Sequence, residues 1–233
     1  MTHAHHSLPT KAVIFDMDGL LLDSETLTYD AYVLTAKRHG ISCEFTDYSR
    51  MIGLNMVEGM SVLREILPDD IDVSDFKAEW MELYRQRLDG TVPVKPGIPD
   101  IVDSLATRRV PMAVATSSQG EKARDILSRV GLARHMLAIT GGNEVPRGKP
   151  APDVYQATIA KLAAYGIRGA DDCIAFEDSE NGVKAARAAG LRVIQVPDLI
   201  PAARAATPPL HLIADSLAAG VEWLDIQSVW PVG

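Results

Sequence analysis

Short, predominantly apolar segments recur along the chain, and each ends at a polar or turn-forming residue. Five of them, each four or five residues long, span Ala12–Phe15, Met112–Ala115, Met136–Thr140, Cys173–Phe176 and Val193–Val196. Segments of this length and composition are typical of strands buried on both faces of a parallel sheet. A further short strand is predicted at Leu210–Ala214.

Longer segments with helical periodicity lie between the predicted strands, and three of them end at a glycine. These helices are predicted at Glu121–Val130 before Gly131, Asp153–Tyr165 before Gly166, and Asn181–Ala189 before Gly190. A glycine just past the last periodic residue is the usual signal for the C-terminal end of a helix. The alternation of strand and helix predicts an α/β fold with a doubly wound parallel sheet.

Residues 25–89 interrupt this alternation, because they carry helical patterns without a buried-strand segment between them. The predicted helices are Glu25–Arg38, Met56–Leu67 and Ser74–Leu88. We therefore predict an α/β core formed by residues 1–23 and 92–233. Residues 24–91 are predicted to form a helical cap inserted after the first strand.

Acidic and hydroxyl side chains recur where the apolar segments end. Asp16 and Asp18 follow the first segment, Thr116 follows the second, and Glu177 and Asp178 follow the fourth. In an open parallel sheet, the ligand crevice lies outside the carboxyl ends of the strands, so these residues are expected to converge there. Asp and Thr also cap helices at such turns. For Thr116 taken alone, capping is an equally good interpretation.

The pair Asp16 and Asp18, followed by Gly19, is the most informative segment. Carboxylates this close repel one another and are costly to desolvate unless a cation joins them. Mg²⁺ typically binds one or two carboxylates together with phosphate oxygens and water. Asp178 supplies another carboxylate from a separate strand end. The pattern therefore indicates a site for a hard divalent ion.

Lys149 lies in a proline-rich segment, Gly148–Asp153. The prolines restrict the backbone and prepare the start of the next helix. A lysine held in this way suits a phosphate or an acyl phosphate. The alternative interpretation is a solvated surface lysine.

Composition and charge narrow the range of partners. The chain has 233 residues, of which 47% are hydrophobic and 23% charged, as expected for a globular protein. The net charge of −8 argues against nucleic acid and against an anionic membrane surface. Cys43 and Cys173 lie far apart, which indicates reduced thiols in a cytoplasmic protein. The sequence leaves the oligomeric state open, a monomer included.

Four segments resemble, in the same order, the motifs of the haloacid-dehalogenase-like (HAD) superfamily. They are Asp16–Ser24, Val114–Ser118, Lys149–Pro150, and Phe176–Ser179 with Asn181–Gly182 after it. The position of the helical segment is similar to that of the small helical cap in the phosphatase and β-phosphoglucomutase branch. The residues within these motifs are similar to those of pseudouridine- and sugar-phosphate phosphatases. The resemblance implies a Rossmann-like core and a Mg²⁺-dependent phosphohydrolase that acts on a small phosphorylated metabolite.

The resemblance also implies roles for the matching acidic residues. Asp16 would attack phosphorus and become an aspartyl-phosphate. Asp18 would protonate the leaving oxygen and later activate water. The Asp16 and Asp178 carboxylates and the Asp18 backbone carbonyl would bind Mg²⁺.

Four further residues receive roles from the same resemblance. Thr116 and the Ser117 N–H would hold the phosphoryl oxygens, and Lys149 would neutralise the nucleophile and the phosphate. Glu177 would lie next to the metal, or it would be an acidic residue that contacts the metal ligands without binding the metal itself. The substrate would be a sugar phosphate or a compound similar to a nucleoside monophosphate.

Three other functions remain as alternatives. A phosphomutase of the β-phosphoglucomutase type is the main one, although its relatives usually carry His where this chain has Thr28 and a cap Arg where it has Met56. Arg50 and Arg64 lie near enough in sequence to substitute for that arginine. A haloacid dehalogenase would lack the second Asp of the first motif, here Asp18. A catalytically inactive binding protein would have lost the nucleophile or the lysine.

Overall fold

The computed structural model describes residues 11–52, 54, 56–202 and 211–226. The strands are β1 (Ala12–Phe15), β2 (Met112–Ala115), β3 (Met136–Thr140), β4 (Cys173–Glu177), β5 (Arg192–Gln195) and β6 (His211–Ile213). The α-helices are α1 (Ser24–Arg38), α2 (Phe45–Ser49), α3 (Met56–Ile66), α4 (Val73–Asp89), α5 (Ile98–Thr107), α6 (Gly120–Arg129), α7 (Asp153–Leu162), α8 (Glu180–Ala188) and α9 (Leu217–Ile226).

The strands form one parallel sheet in the order β3-β2-β1-β4-β5-β6. The chain runs outward from β1 to β3, and then resumes at β4 on the other side of β1. This order confirms the predicted doubly wound α/β fold. The reversal places the topological switch point between β1 and β4, where ligands bind in such sheets.

Side chains alternate between the two faces of the sheet, as the pleat of a strand requires. In β1, Val13 and Phe15 belong to one apolar cluster, and Ala12 and Ile14 belong to the cluster on the opposite face. Burial on both faces explains why β1 contains only apolar residues.

Strand β3 contradicts the expectation that every predicted strand is buried on both faces. Leu137 is 38% exposed, because β3 pairs only with β2 and lies at one edge of the sheet. The predicted strand at Leu210–Ala214 is observed as β6, at the opposite edge; Leu210 lies outside the described residues.

The described part of residues 24–89 contains α1 to α4 and no strand. These helices enclose an apolar cluster in which Tyr32, Tyr48, Phe76 and Trp80 are buried. The indole N–H of Trp80 donates to the Thr28 backbone oxygen at 2.9 Å, which ties α4 to α1. The division into a core and an inserted cap at residues 23/24 and 91/92 stays a prediction.

Candidate active site

Asp16 and Lys149 form a buried ion pair at the end of β1. Asp16 directly follows the strand and is 5% exposed. The Lys149 Nζ donates to Asp16 Oδ1 at 2.5 Å and to the Ala115 backbone oxygen at 3.0 Å. The Lys149 side chain is itself only 5% exposed, so it is not the solvated surface lysine of the alternative interpretation.

Glu177, the last residue of β4, is fully buried beside this pair. Its Oε1 atom accepts hydrogen bonds from Lys149 Nζ and from the Tyr155 hydroxyl, both at 2.5 Å. Its Oε2 atom accepts a hydrogen bond from the Ser179 hydroxyl at 3.3 Å. A Cβ atom at Gly182 would lie 1.9 Å from Oε2, so the glycine leaves the space that the carboxylate occupies.

Three carboxylates could hold a metal ion at the switch point between β1 and β4. Asp16, Glu177 and Asp178 each offer an oxygen, and these oxygens lie within 4.8 Å of one another. A set of carboxylate oxygens fits a hard divalent cation such as Mg²⁺. The sequence predicts Asp16, Asp18 and Asp178 as the metal residues. The cluster contains Asp16 and Asp178 together with Glu177. Asp18 is predicted to bind through its backbone carbonyl, and its side chain accepts hydrogen bonds from Thr116 and Ser118.

The electrostatics of the cluster reflect three carboxyl groups close together, of which Asp16 and Glu177 are buried and Asp178 is half-buried. Burial is the largest influence on Asp16, and with the neighbouring Glu177 and Asp18 it raises the pKa to about 8, although Lys149 acts in the opposite direction. Burial, followed by repulsion from Asp16, raises the pKa of Asp178 well above its ordinary value. A cation among these oxygens would favour their ionised forms.

Two hydroxyl groups that follow β2 hold the Asp18 side chain. Asp18 Oδ2 accepts a hydrogen bond from Ser118 Oγ at 2.8 Å and from Thr116 Oγ1 at 3.2 Å. The Ser118 backbone N–H in turn donates to Thr116 Oγ1 at 3.0 Å, so the turn also positions Thr116. Thr116 is fully buried and Ser117 is exposed. Sequence reasoning assigned no role to Ser118, whose signal is a third consecutive hydroxyl residue after the strand.

Gly19 lets the backbone pass close to Asp178. Its φ of +81° lies in the left-handed region, which favours glycine. A Cβ atom there would lie 2.4 Å from Asp178 Oδ2. The first and fourth motifs are thus in contact, as the shared carboxyl edge of the sheet predicts.

A cleft of about 370 Å³ opens beside Asp178, between the sheet and the helical segment. Glu25 of α1 and Ile52 and Leu54, which lie between α2 and α3, contribute to its wall. Asp198, from the loop after β5, belongs to none of the four motifs but lines the same cleft. The cleft therefore has room for a small molecule next to the carboxylate cluster.

Residues 13–196 match the family described as haloacid dehalogenase-like hydrolase. The chain is 30% identical over 184 residues to a phosphorylated carbohydrates phosphatase of Thermotoga maritima. The matched region covers 79% of this chain and 83% of that protein. It is also 32% identical over 187 residues to a fructose-1-phosphate phosphatase of Escherichia coli. That match covers 79% of this chain and 95% of that protein.

Solved structures show the same architecture. CbbY of Rhodobacter sphaeroides in complex with phosphate is 25% identical, with a TM-score of 0.69 over 90% of this chain and 95% of that chain. A β-phosphoglucomutase of Clostridium difficile, 19% identical, shares the fold with a TM-score of 0.69 over 94% and 96% of the two chains. Among the described residues, no helix is both long and apolar enough to cross a membrane.

Proposed function

Because the chain belongs to the haloacid dehalogenase-like hydrolase family, we propose that it is a Mg²⁺-dependent phosphatase that forms an aspartyl-phosphate on Asp16. The observation that carries this proposal is the position of Asp16 at the strand end, bound to Lys149 and grouped with Glu177 and Asp178. The names of the related phosphatases support the expected phosphoric monoester hydrolase activity on a small phosphorylated metabolite. A cytoplasmic location stays a prediction.

The first half of the proposed reaction transfers the phosphoryl group to the enzyme. An oxygen of Asp16 attacks phosphorus, and the bond between phosphorus and the ester oxygen breaks. Asp18, which Thr116 and Ser118 orient, gives its proton to the leaving alcohol. Lys149 offsets the negative charge of the nucleophile and of the phosphoryl oxygens.

The second half releases inorganic phosphate. Asp18, now ionised, accepts a proton from a water molecule as that water attacks phosphorus. The bond between phosphorus and Asp16 breaks, which restores the carboxylate. Splitting one difficult transfer into two easier ones is the usual advantage of a covalent intermediate.

The Asp16 and Asp178 carboxylates and the Asp18 backbone carbonyl would hold Mg²⁺, with Glu177 in the same cluster. When bound, Mg²⁺ would neutralise charge on the phosphoryl oxygens and so allow an anionic nucleophile to approach them. Thr116 and the Ser117 N–H remain proposed ligands of the phosphoryl oxygens. Ser118 joins them as an orienting residue for Asp18.

The test is phosphate release from a panel of phosphomonoesters by the purified protein. Chelation with EDTA should stop the release, and added Mg²⁺ should restore it. Asp16→Asn should reduce turnover by on the order of 10³-fold or more. Asp30→Asn, the same change at an exposed position of α1, should leave turnover unchanged.

The intermediate itself provides a second readout. Acid-quenched wild-type protein should carry one additional phosphoryl group on the peptide that contains Asp16, as measured by mass spectrometry. Full activity after exhaustive chelation, or substantial activity in Asp16→Asn, would refute the proposal.

A further inference from the structure

Glu25 is an acidic residue that the proposed reaction does not use, although it faces the site. It lies in the first turn of α1, directly after the first motif. Glu25 lines the cleft beside Asp178, and it also lines a second cavity of about 250 Å³ within the helical segment. Ile52 and Leu54 line both cavities as well, so Glu25 lies where the two spaces adjoin.

The Glu25 carboxylate is held in place. Its Oε2 atom accepts a hydrogen bond from the Tyr48 hydroxyl at 3.2 Å, and Tyr48 is itself 2% exposed. Burial raises the pKa of Glu25, and the hydrogen bond from Tyr48 acts in the opposite direction. A fixed acceptor of this kind can bind a hydroxyl group of a ligand without a large cost in side-chain entropy.

The charge around the cleft is strongly asymmetric. Among the described residues that line it, Lys184 is the one base, and it is exposed. The acids that line the same cleft are Glu25, Glu58, Asp178, Glu180 and Asp198. Lys95, from the loop before α5, forms an ion pair with Asp198 and lies 3.6 Å from Asp23. Its positive charge is therefore already balanced by these two acids.

We propose that Glu25 is a specificity-determining residue that selects phosphomonoesters with a neutral, hydroxyl-bearing alcohol. This inference rests on the proposed function. Metal and Lys149 can compensate the charge of the ester phosphate, but a second anion on the alcohol would lie beside Glu25 and the other acids. Like charges placed together in a partly desolvated site strongly disfavour binding. A hydroxyl group at the same position would instead donate a hydrogen bond to Glu25.

The proposed discrimination applies to short substrates only, because Lys77 lies deeper in the helical segment than Glu25 does and could bind a distant second anion. Lys77 lines the cavity within the helical segment, so a long bisphosphate could place its distal phosphate near a base. The discriminating substrates are therefore those whose second group cannot reach beyond Glu25. Glycerol 3-phosphate and 3-phosphoglycerate form such a pair, because they differ only in a hydroxymethyl group against a carboxylate.

The experiment compares kcat/KM of the wild-type protein for these two compounds, with Mg²⁺ present. We expect glycerol 3-phosphate to be preferred by about tenfold or more, the effect of one unfavourable charge interaction at this range. Glu25→Gln keeps the size of the side chain and removes its charge. It should reduce the preference, mainly by improving the use of 3-phosphoglycerate. Thermal denaturation of the variant checks that it is folded.

Glu82→Gln is the matched control, because Glu82 is an exposed residue of α4 that pairs with Arg85. It should leave the preference unchanged. If turnover of either compound is slow, competition of each against hydrolysis of p-nitrophenyl phosphate gives their inhibition constants, which should show the same order of preference.

The outcomes separate the two proposals. Equal use of both compounds by the wild type, or an unchanged ratio in folded Glu25→Gln, would overturn the role of Glu25 while the phosphatase activity stands. Absence of hydrolysis with p-nitrophenyl phosphate and with the whole panel would instead overturn the proposed function.

Discussion

Tyr155 and Lys149 donate hydrogen bonds to the same atom, Glu177 Oε1, each at 2.5 Å. The Lys149 ammonium also lies 5.0 Å from the centre of the Tyr155 ring. Tyr155 and Glu177 are completely buried. A tyrosine on α7 thus fixes the carboxylate that positions Lys149 against Asp16.

Tyr155→Phe should lower kcat by about tenfold or more, because it removes a hydrogen bond to an ionised group next to the nucleophile. Steady-state phosphate release across a series of Mg²⁺ concentrations measures the effect. Tyr32→Phe is the control, since the buried Tyr32 hydroxyl has no hydrogen-bond partner among the residues that the structure describes. That change should leave kcat unaltered and should stabilise the fold, if it has any effect.

A folded Tyr155→Phe protein with wild-type kcat would show that Lys149 alone positions Glu177. Equal thermal destabilisation of both variants, with equal loss of activity, would likewise contradict a specific role for the Tyr155 hydroxyl.

Gly182→Ala should raise the Mg²⁺ concentration needed for half-maximal activity. The new methyl group would occupy the position of the Glu177 carboxylate and displace that carboxylate from its place beside Asp16 and Asp178. Gly59→Ala is the control at another helical glycine, where a Cβ atom would meet no atom of the described residues within 4 Å. It should leave the Mg²⁺ requirement unchanged and add about 0.5–1 kcal/mol of stability. An identical Mg²⁺ titration in Gly182→Ala and wild type would refute the role of this contact.

Most of the sheet could be predicted from sequence because its strands are short, apolar and bounded by turns. The five main strands are observed within one residue of their predicted limits. The edge position of β3 could not be predicted, because strand order depends on pairings between distant segments. The short helix α2 was not predicted, nor were α5, which starts at Gly97-Ile98-Pro99, and α9 near the C-terminus.

The main residues of the candidate site could also be identified from sequence, because strand ends converge in a doubly wound sheet. Asp16, Thr116 and Glu177 were located by this rule. Tyr155 was missed, since it lies within a helical pattern where an aromatic residue is normally part of the core. Ser118 was missed because its partner, Asp18, is 100 residues away, and a hydrogen bond over that separation leaves no local pattern.

The stability of the protein should fall as the pH is lowered below about 6.5, in part because of His211. Burial, followed by repulsion from Arg187, lowers the pKa of His211 in the folded state. The unfolded chain then binds a proton that the folded state rejects, so the contribution to stability is present above pH 6.5 and is lost on acidification. Urea unfolding at pH 7.5 and 5.5 measures the difference.

The control for this pH dependence is His211→Gln, which removes the titrating group. The imidazole Nε2 lies 2.9 Å from Gln195 Oε1, so a glutamine amide can replace it as a hydrogen-bond donor. The variant should lose less stability between the two pH values than the wild type does. An equal or larger loss in the variant would exclude His211 as a contributor.

Hydrolysis, rather than phosphoryl transfer to a sugar hydroxyl, is the outcome expected at the aspartyl-phosphate. A mutase must hold a bisphosphate, and so it needs a cation for the distal phosphate. Arg50, one of two arginines that could serve, forms an ion pair with Glu65 at 2.5 Å, and both side chains are exposed. The Thr28 hydroxyl, where mutase relatives usually have His, donates to the Ser24 backbone oxygen of its own helix at 3.0 Å.

Incubation with a panel of sugar 1-phosphates should therefore release inorganic phosphate without forming the sugar 6-phosphate. Adding the corresponding 1,6-bisphosphate should not change this result: Lys77 lines the neighbouring cavity and could meet a distal phosphate, but Thr28 stands where mutase relatives usually have His, and its hydroxyl is engaged within α1. A phosphate assay and a coupled assay for the 6-phosphate, run on the same samples, distinguish the two reactions. Rapid isomerisation that depends on the bisphosphate, with little phosphate released, would identify a mutase instead.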